Sequence, residues 1–172
     1  MKVSGKPDEI EEYGVAHPDA TDVEGVIVVG YDPAINKWLA LQWNQQHTIW
    51  LVGGGKENNE SYADTAIREL KEETGYSTFD EQIQLGGPIV SRYYNDKKAL
   101  HRRSYAFAFL FLLDSTAMGA QALEEHENFI VTWLDYRPLR KAIEQTGGGI
   151  GHWLAVLSRA HDYLIKNNYL LH

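Results

Sequence analysis

The segment from Gly53 to Tyr76, GGGKENNESYADTAIRELKEETGY, constrains this chain more than any other. Three glycines end a short apolar run and lead into a helix-forming stretch. Ala63, Ala66, Ile67 and Leu70 fall at i, i+3, i+4 and i+7, the spacing of one apolar stripe on an α-helix. The helix is expected over Ser61 to Thr74. Asn59 or Ser61 can cap its start, and Gly75 can end it in a left-handed conformation. At about 100° per residue, Glu69, Glu72 and Glu73 share one flank of the stripe. Carboxylates at i, i+3 and i+4 repel one another. They also sit in the last turns of the helix, where the macrodipole disfavours anions. Stability alone does not select such an arrangement. A bound divalent cation removes both penalties, and oxygen ligands of this kind suit Mg²⁺ or Mn²⁺. An acidic solvated helix face is the alternative reading of the same residues. Arg68 lies on the carboxylate flank, where it can orient a carboxylate by a bidentate contact. Glu60 can approach from the helix start, and the glycines let backbone come close to a ligand.

The rest of the chain reads as a frame for that helix. Residues 1–22 are expected to form an arm, broken by Gly5, Pro7, Gly14 and Pro18, that is either disordered or adds an edge strand. A domain over residues 23–172 follows. Val26 to Val29 is a β-branched run that reads as a buried strand, paired in a hairpin with Trp38 to Trp43 across a turn at Asp32, Pro33 and Asn36. Ile49 to Val52 is a short strand. Further strands are expected over Ile83 to Tyr94, Arg103 to Leu113 and Phe129 to Leu134. In the second of these, Tyr105, Phe107, Phe109 and Phe111 alternate with small or aliphatic residues, so it is central and covered on both faces. A short helix from Pro138 to about Gln145 and a last helix from Gly151 or His152 to about Asn167 follow. Helices within and after a set of strands imply an α/β/α sandwich with a mixed central sheet.

Charge and composition exclude several function classes. Sixteen Lys+Arg against 24 Asp+Glu give a net charge of −8, which repels polyanions, so avid nucleic-acid binding is not expected. With no cysteine, disulfides, thiolate chemistry and Cys-ligated metals drop out. The longest apolar run, around Tyr105 to Leu113, is too short to span a bilayer. Asp8, Glu9, Glu11 and Glu12 mark the first twenty residues as no signal peptide. A cytoplasmic enzyme or binding protein acting without a membrane is expected.

Gly54, five residues, Glu60, seven residues, then Arg68-Glu69-Leu70-x-Glu72-Glu73-x-Gly75-Tyr76 resembles the Nudix box. Tyr76 replaces the aliphatic residue usual in the family. Val52 and Asn59 stand where many members have Pro and Gly. The expected strand order also looks like the Nudix fold. The resemblance implies metal-dependent hydrolysis of a nucleoside diphosphate linked to another moiety, with a small nucleotide as substrate and Mg²⁺ or Mn²⁺ as cofactor. By position, Glu72 and Glu73 would be metal ligands, and Glu69 a ligand or the base for the attacking water. The carbonyl of Gly53 would be a further ligand, as in some members. Arg68 would orient Glu69, while Glu60 and Gly54 would support the site beside the substrate. Many members use a Glu outside the box near the last strand; Glu127 is the first candidate, ahead of Glu124 and Glu125. A homodimer is one form the resemblance allows.

Outside the box, the substrate-facing residues are harder to read. Trp43, Trp50, Tyr93 and Tyr94 are candidates to stack on a base. Tyr93 lies seventeen residues past the box, near an offset where family members that cleave diadenosine polyphosphates carry a Tyr. Lys97, Lys98, His101, Arg102 and Arg103 form a basic patch, with Arg103 the candidate grip for distal phosphates; a charged hairpin loop is the alternative. His47 is a candidate at the site mouth, and Gly147 to Gly151 resembles a phosphate nest or a plain linker. Two other functions stay in view. An isopentenyl-diphosphate-type isomerase is disfavoured by the lack of cysteine. A non-catalytic nucleotide-sensing module is disfavoured by the full set of box carboxylates.

Overall fold

A computed structural model describes residues 1–43, 48–95, 99–123, 128–146 and 151–170. They form one mixed sheet with helices on both faces, the α/β/α sandwich expected from the element order. At its centre β3 (Thr21–Asp32) runs parallel to β9 (Leu100–Leu112), paired from Thr21↔Arg102 to Tyr31↔Leu112. The free edge of β9 pairs antiparallel with β7 (Glu81–Leu85) and β8 (Ile89–Asn95). The other edge of β3 pairs with β6 (Val52–Gly55) over Gly25 to Val28. Beyond that it meets β4 (Lys37–Trp43) only at Tyr31↔Trp38 and Asp32↔Lys37. The expected hairpin is therefore short. Along the rest of its length β4 pairs with β10 (Phe129–Leu134), and at one end with β5 (Ile49–Trp50).

The alternation of β9 sorts the core as the sequence suggests. Phe109 and Phe111 pack with Val26, Val28 and Leu70 under α1 (Tyr62–Thr74). Ala108, Leu110 and Leu112 pack on the opposite face with Leu139 of α2 (Tyr136–Thr146) and Leu157 of α3 (Gly151–Lys166). Among the described residues no helix is long and apolar enough to cross a membrane.

Two expectations need correction. The strand expected over Ile83 to Tyr94 is two strands, β7 and β8. Gly86 takes φ 75 between them and Pro88 has no N–H for a ladder. Arg159 of α3 holds this break by donating to the carbonyls of Leu85 (2.8 Å) and Gly87 (3.2 Å). The helical stripe is also rotated. Ala66 and Leu70 are buried, but Ala63 and Ile67 are half-buried, and Glu69 and Glu73 are buried in their place. The helix buries its carboxylate flank against β6 alongside Ala66 and Leu70, which pack with Val52.

The first residues of the chain join the sheet. β1 (Lys2–Ser4) runs parallel to β7 and β2 (Glu11–Tyr13) parallel to β8. The boundary at residue 22 falls within β3, and the division into an arm of residues 1–22 and a domain of residues 23–172 is a proposal.

Candidate active site

Local chemistry fixes α1 at both ends. Ser61 caps the start, its Oγ accepting from the Asp64 N–H at 3.1 Å. Asn59 holds φ 68, a left-handed conformation that Asn tolerates better than most residues, where many family members place Gly. Gly75 holds φ 80 and returns its N–H to the Lys71 carbonyl at 2.8 Å. The next chain segment satisfies further terminal carbonyls. Gly119 N–H donates to Gly75 at 3.0 Å and Ala122 N–H to Glu72 at 2.8 Å. Tyr76 fills the usual aliphatic position as a buried ring. Its hydroxyl donates to the Ser115 carbonyl and accepts from the Trp133 indole, so no polar atom is stranded.

Arg68 is the hub. Its Nε donates to Glu60 Oε1 at 2.8 Å, one terminal nitrogen to Glu69 (2.8 Å) and Glu72 (3.0 Å), and the other to the Gly55 carbonyl (2.8 Å) and Glu60 Oε2 (3.1 Å). All five guanidinium N–H groups are thereby engaged. One cation joins three carboxylates and the glycine end of β6, which offsets much of the repulsion the spacing creates. Glu73 is tied separately, accepting from the Gly53 N–H at 3.1 Å. Glu69 lies directly over Gly54, and a Cβ there would stand 2.0 Å from its carboxyl carbon. The glycine run is thus a close-approach device for two carboxylates, Glu69 and Glu73.

Glu60 closes the ring. It takes two contacts from Arg68, the Glu57 N–H at 3.2 Å and the Thr65 hydroxyl at 3.0 Å. The Arg68 guanidinium, above all, pulls its carboxyl down to about 2. A carboxylate depressed from its unfolded value stabilises the fold above that value and loses the contribution as pH falls through the folded one. Thermal melts from pH 5 to pH 2 are expected to show wild type losing stability more steeply than Glu60→Gln. Parallel curves would refute this.

The structure gathers Gly53, Gly54, Glu60, Arg68, Glu69, Glu72 and Glu73 at one place. It does not bring Tyr93 there. Tyr93 pairs with Arg102, on the sheet face of Ile89 and Ala106, away from α1. It lines a cavity of about 210 Å³ with Arg102 and His17 of the N-terminal segment. Arg103 is on the α1 face, but Asp22 holds its guanidinium through two contacts of 2.8 and 2.6 Å. Trp43 packs on Phe129 and Trp50 on Trp153. Tyr94 packs edge-on to His101. His47, Lys97, Lys98, Glu124, Glu125, Glu127 and the Gly147, Gly148 and Gly149 run lie outside the described residues.

Sequence reasoning missed a cluster beside the hub. Glu24 of β3 accepts from the Tyr62 hydroxyl at 2.9 Å and from Lys56 Nζ at 3.4 Å, and Lys56 Nζ stands 5.6 Å from the centre of the Tyr62 ring. The one available signal was the alternation that puts Glu24 on the face of Val26 and Val28.

Among the described residues no three Asp, Glu or His side chains already converge as a metal cage. The donor set nevertheless fits a hard divalent cation. Glu69, Glu72 and Glu73 offer oxygen alone, two of them held against glycine backbone.

A helix whose buried flank is acidic, seated on the glycines of β6 and braced by one arginine, thus holds every fixed charged residue of the Nudix box at one place. The NUDIX domain family model matches residues 9–154, and the chain belongs to that family. Nudix hydrolases generally use divalent metals. No curated protein matches the sequence. Among solved structures, the NUDIX domain of Shewanella oneidensis NrtR in complex with ADP-ribose is similar at TM-score 0.62 and 16% identity, covering 84% of this chain and 89% of that one. A NUDIX hydrolase from Nitrosomonas europaea is similar at 0.56 and 15%, covering 83% and 90%. The Ap4A hydrolase of C. elegans is similar at 0.50 and 16%, covering 84% and 99%. At these identities the likeness is one of fold.

Proposed function

We propose that this protein hydrolyses a diphosphate linkage in a small nucleotide, with Mg²⁺ or Mn²⁺ held by Glu69, Glu72 and Glu73 and the Gly53 carbonyl. The observation that carries the reading is the Arg68 hub, which concentrates carboxylates that stability alone would disperse. The diphosphate is a poor electrophile shielded by its own charge. A bound divalent cation neutralises that charge and lowers the pKa of a water molecule. Glu69 accepts the proton of the attacking water. The water oxygen bonds to phosphorus as the bridging P–O bond breaks, and the leaving phosphate carries off the bond's electron pair. Arg68 keeps Glu69 in register, and Glu60 holds Arg68. Glu127 is the candidate second acid from outside the box.

The ligand of the Shewanella domain and the name of the C. elegans enzyme put ADP-ribose and diadenosine tetraphosphate first among compounds to try. Nucleoside diphosphate sugars and (deoxy)nucleoside triphosphates follow. The test is release of phosphate and nucleotide with Mg²⁺ or Mn²⁺, and with EDTA. Turnover that needs the metal supports hydrolysis. No turnover of any compound with either metal, alongside measurable binding, supports a sensing module instead.

A further inference from the structure

Resting on the hydrolase reading, we propose that Lys56 is the residue that grips a substrate phosphate, released to it from Glu24. The first support is a count of donors. Arg68 has no N–H left for a substrate, because Glu60, Glu69, Glu72 and Gly55 take all five. Arg103 is held by both oxygens of Asp22. Lys71 leaves α1 on the side away from Glu69, roughly 160° around the helix by its spacing. Lys56 is different. Among the described residues its ammonium, with three N–H groups, makes a single hydrogen bond, the long one of 3.4 Å to Glu24.

The second support is placement. Lys56 directly follows Gly55, whose carbonyl accepts from Arg68, so its backbone adjoins the end of β6, the strand against which Glu69 and Glu73 are seated. Its N–H donates to the Glu24 carbonyl at 3.0 Å, which pins the turn to β3. Its side chain is largely covered, at 20% exposure, while the Glu24 side chain is 57% exposed. The Tyr62 ring lies under the ammonium and is itself packed on Phe107 at 4.6 Å. The cation is therefore preorganised by an aromatic face and a backbone bond, and its one carboxylate partner is solvated and weakly engaged. A phosphate of the substrate outcompetes such a partner, since it brings more charge and shorter bonds. Glu24 is a placeholder that keeps the lysine aimed while the site is empty of substrate.

The test measures steady-state kinetics on the best substrate and, separately, binding of inorganic pyrophosphate with Mg²⁺ by calorimetry. Lys56→Met is expected to raise KM and the pyrophosphate Kd about tenfold, the loss of one charge-assisted hydrogen bond. The kcat is expected to fall by less than about threefold. Lys56→Arg should recover most of the loss. Glu24→Gln should lower KM or leave it near wild type, because it removes the competing charge. Values for Lys56→Met within twofold of wild type in both measurements would overturn the proposal. If that happens while EDTA still abolishes turnover, the hydrolase reading stands without it. If nothing turns over, the pyrophosphate titration still decides the role of Lys56.

Discussion

Glu72→Gln is expected to lower kcat on the order of 10³-fold while leaving stability within about 0.5 kcal/mol of wild type. The two effects separate because of where Glu72 sits. It occupies the last turn of α1, where the helix dipole disfavours a negative charge, and it shares the flank with Glu69 and Glu73. Its side chain is 43% exposed, and among the described residues its one direct ion pair is to Arg68 at 3.0 Å. Neutralising it loses part of that pair and removes two repulsions, so the fold gains about what it gives up. The amide oxygen of the substituted side chain can still accept from Arg68. With Glu72 in the proposed metal set, catalysis has no such compensation, since a neutral amide holds a hard cation far more weakly than a carboxylate does. Circular dichroism and thermal melts beside turnover on the best substrate would read both effects. A large drop in melting temperature would make Glu72 a structural residue. Near-normal kcat in a folded variant would remove it from the metal set.

The same logic explains what the sequence made legible. The box residues are spaced by a helix, so their shared flank follows from periodicity alone, and their electrostatic cost is local. The bracing by Arg68 is equally local, since Glu60, Glu69 and Glu72 all lie within eight residues of it. The parts that were not legible depend on long-range pairing. Lys2 to Ser4 are three residues whose strand exists only because β7, distant along the chain, offers an edge. Glu24 and Tyr62 meet across 38 residues of chain. Tyr93 shows the limit of counting offsets. An offset fixes distance along the chain but not strand parity, and one residue of register decides which face a side chain takes. The rotation of α1 has a similar cause. A wheel ranks residues by apolarity, whereas the bonds of Glu73 to Gly53 and the seat of Glu69 on Gly54 draw the acidic flank inward.

That seat gives the second large effect. Gly54→Ala is expected to cost about 10²-fold in kcat with the fold retained. The alanine Cβ would stand 2.0 Å from Glu69 Cδ and Oε1 and 2.3 Å from Oε2, so the two groups exclude each other. The backbone does not resist, because Gly54 pairs with Val26 as ordinary strand and has no positive φ. What yields is the carboxylate, the far end of a flexible side chain, which must swing away by about a bond length. It then leaves Arg68 and, if Glu69 is the base as proposed, the place where it would take the proton of the attacking water. The contrast within the glycine run is sharp. At Gly53 a Cβ would meet the Val26 carbonyl at 2.8 Å, which strains the sheet itself. At Gly55 it meets nothing nearer than the Glu24 carbonyl at 4.0 Å. Gly53→Ala should therefore lower the melting temperature, Gly54→Ala should lower kcat, and Gly55→Ala should do much less of either. If Gly54→Ala keeps more than half of the wild-type kcat, Glu69 is not the base, and the glycine serves only to let strand and helix pack.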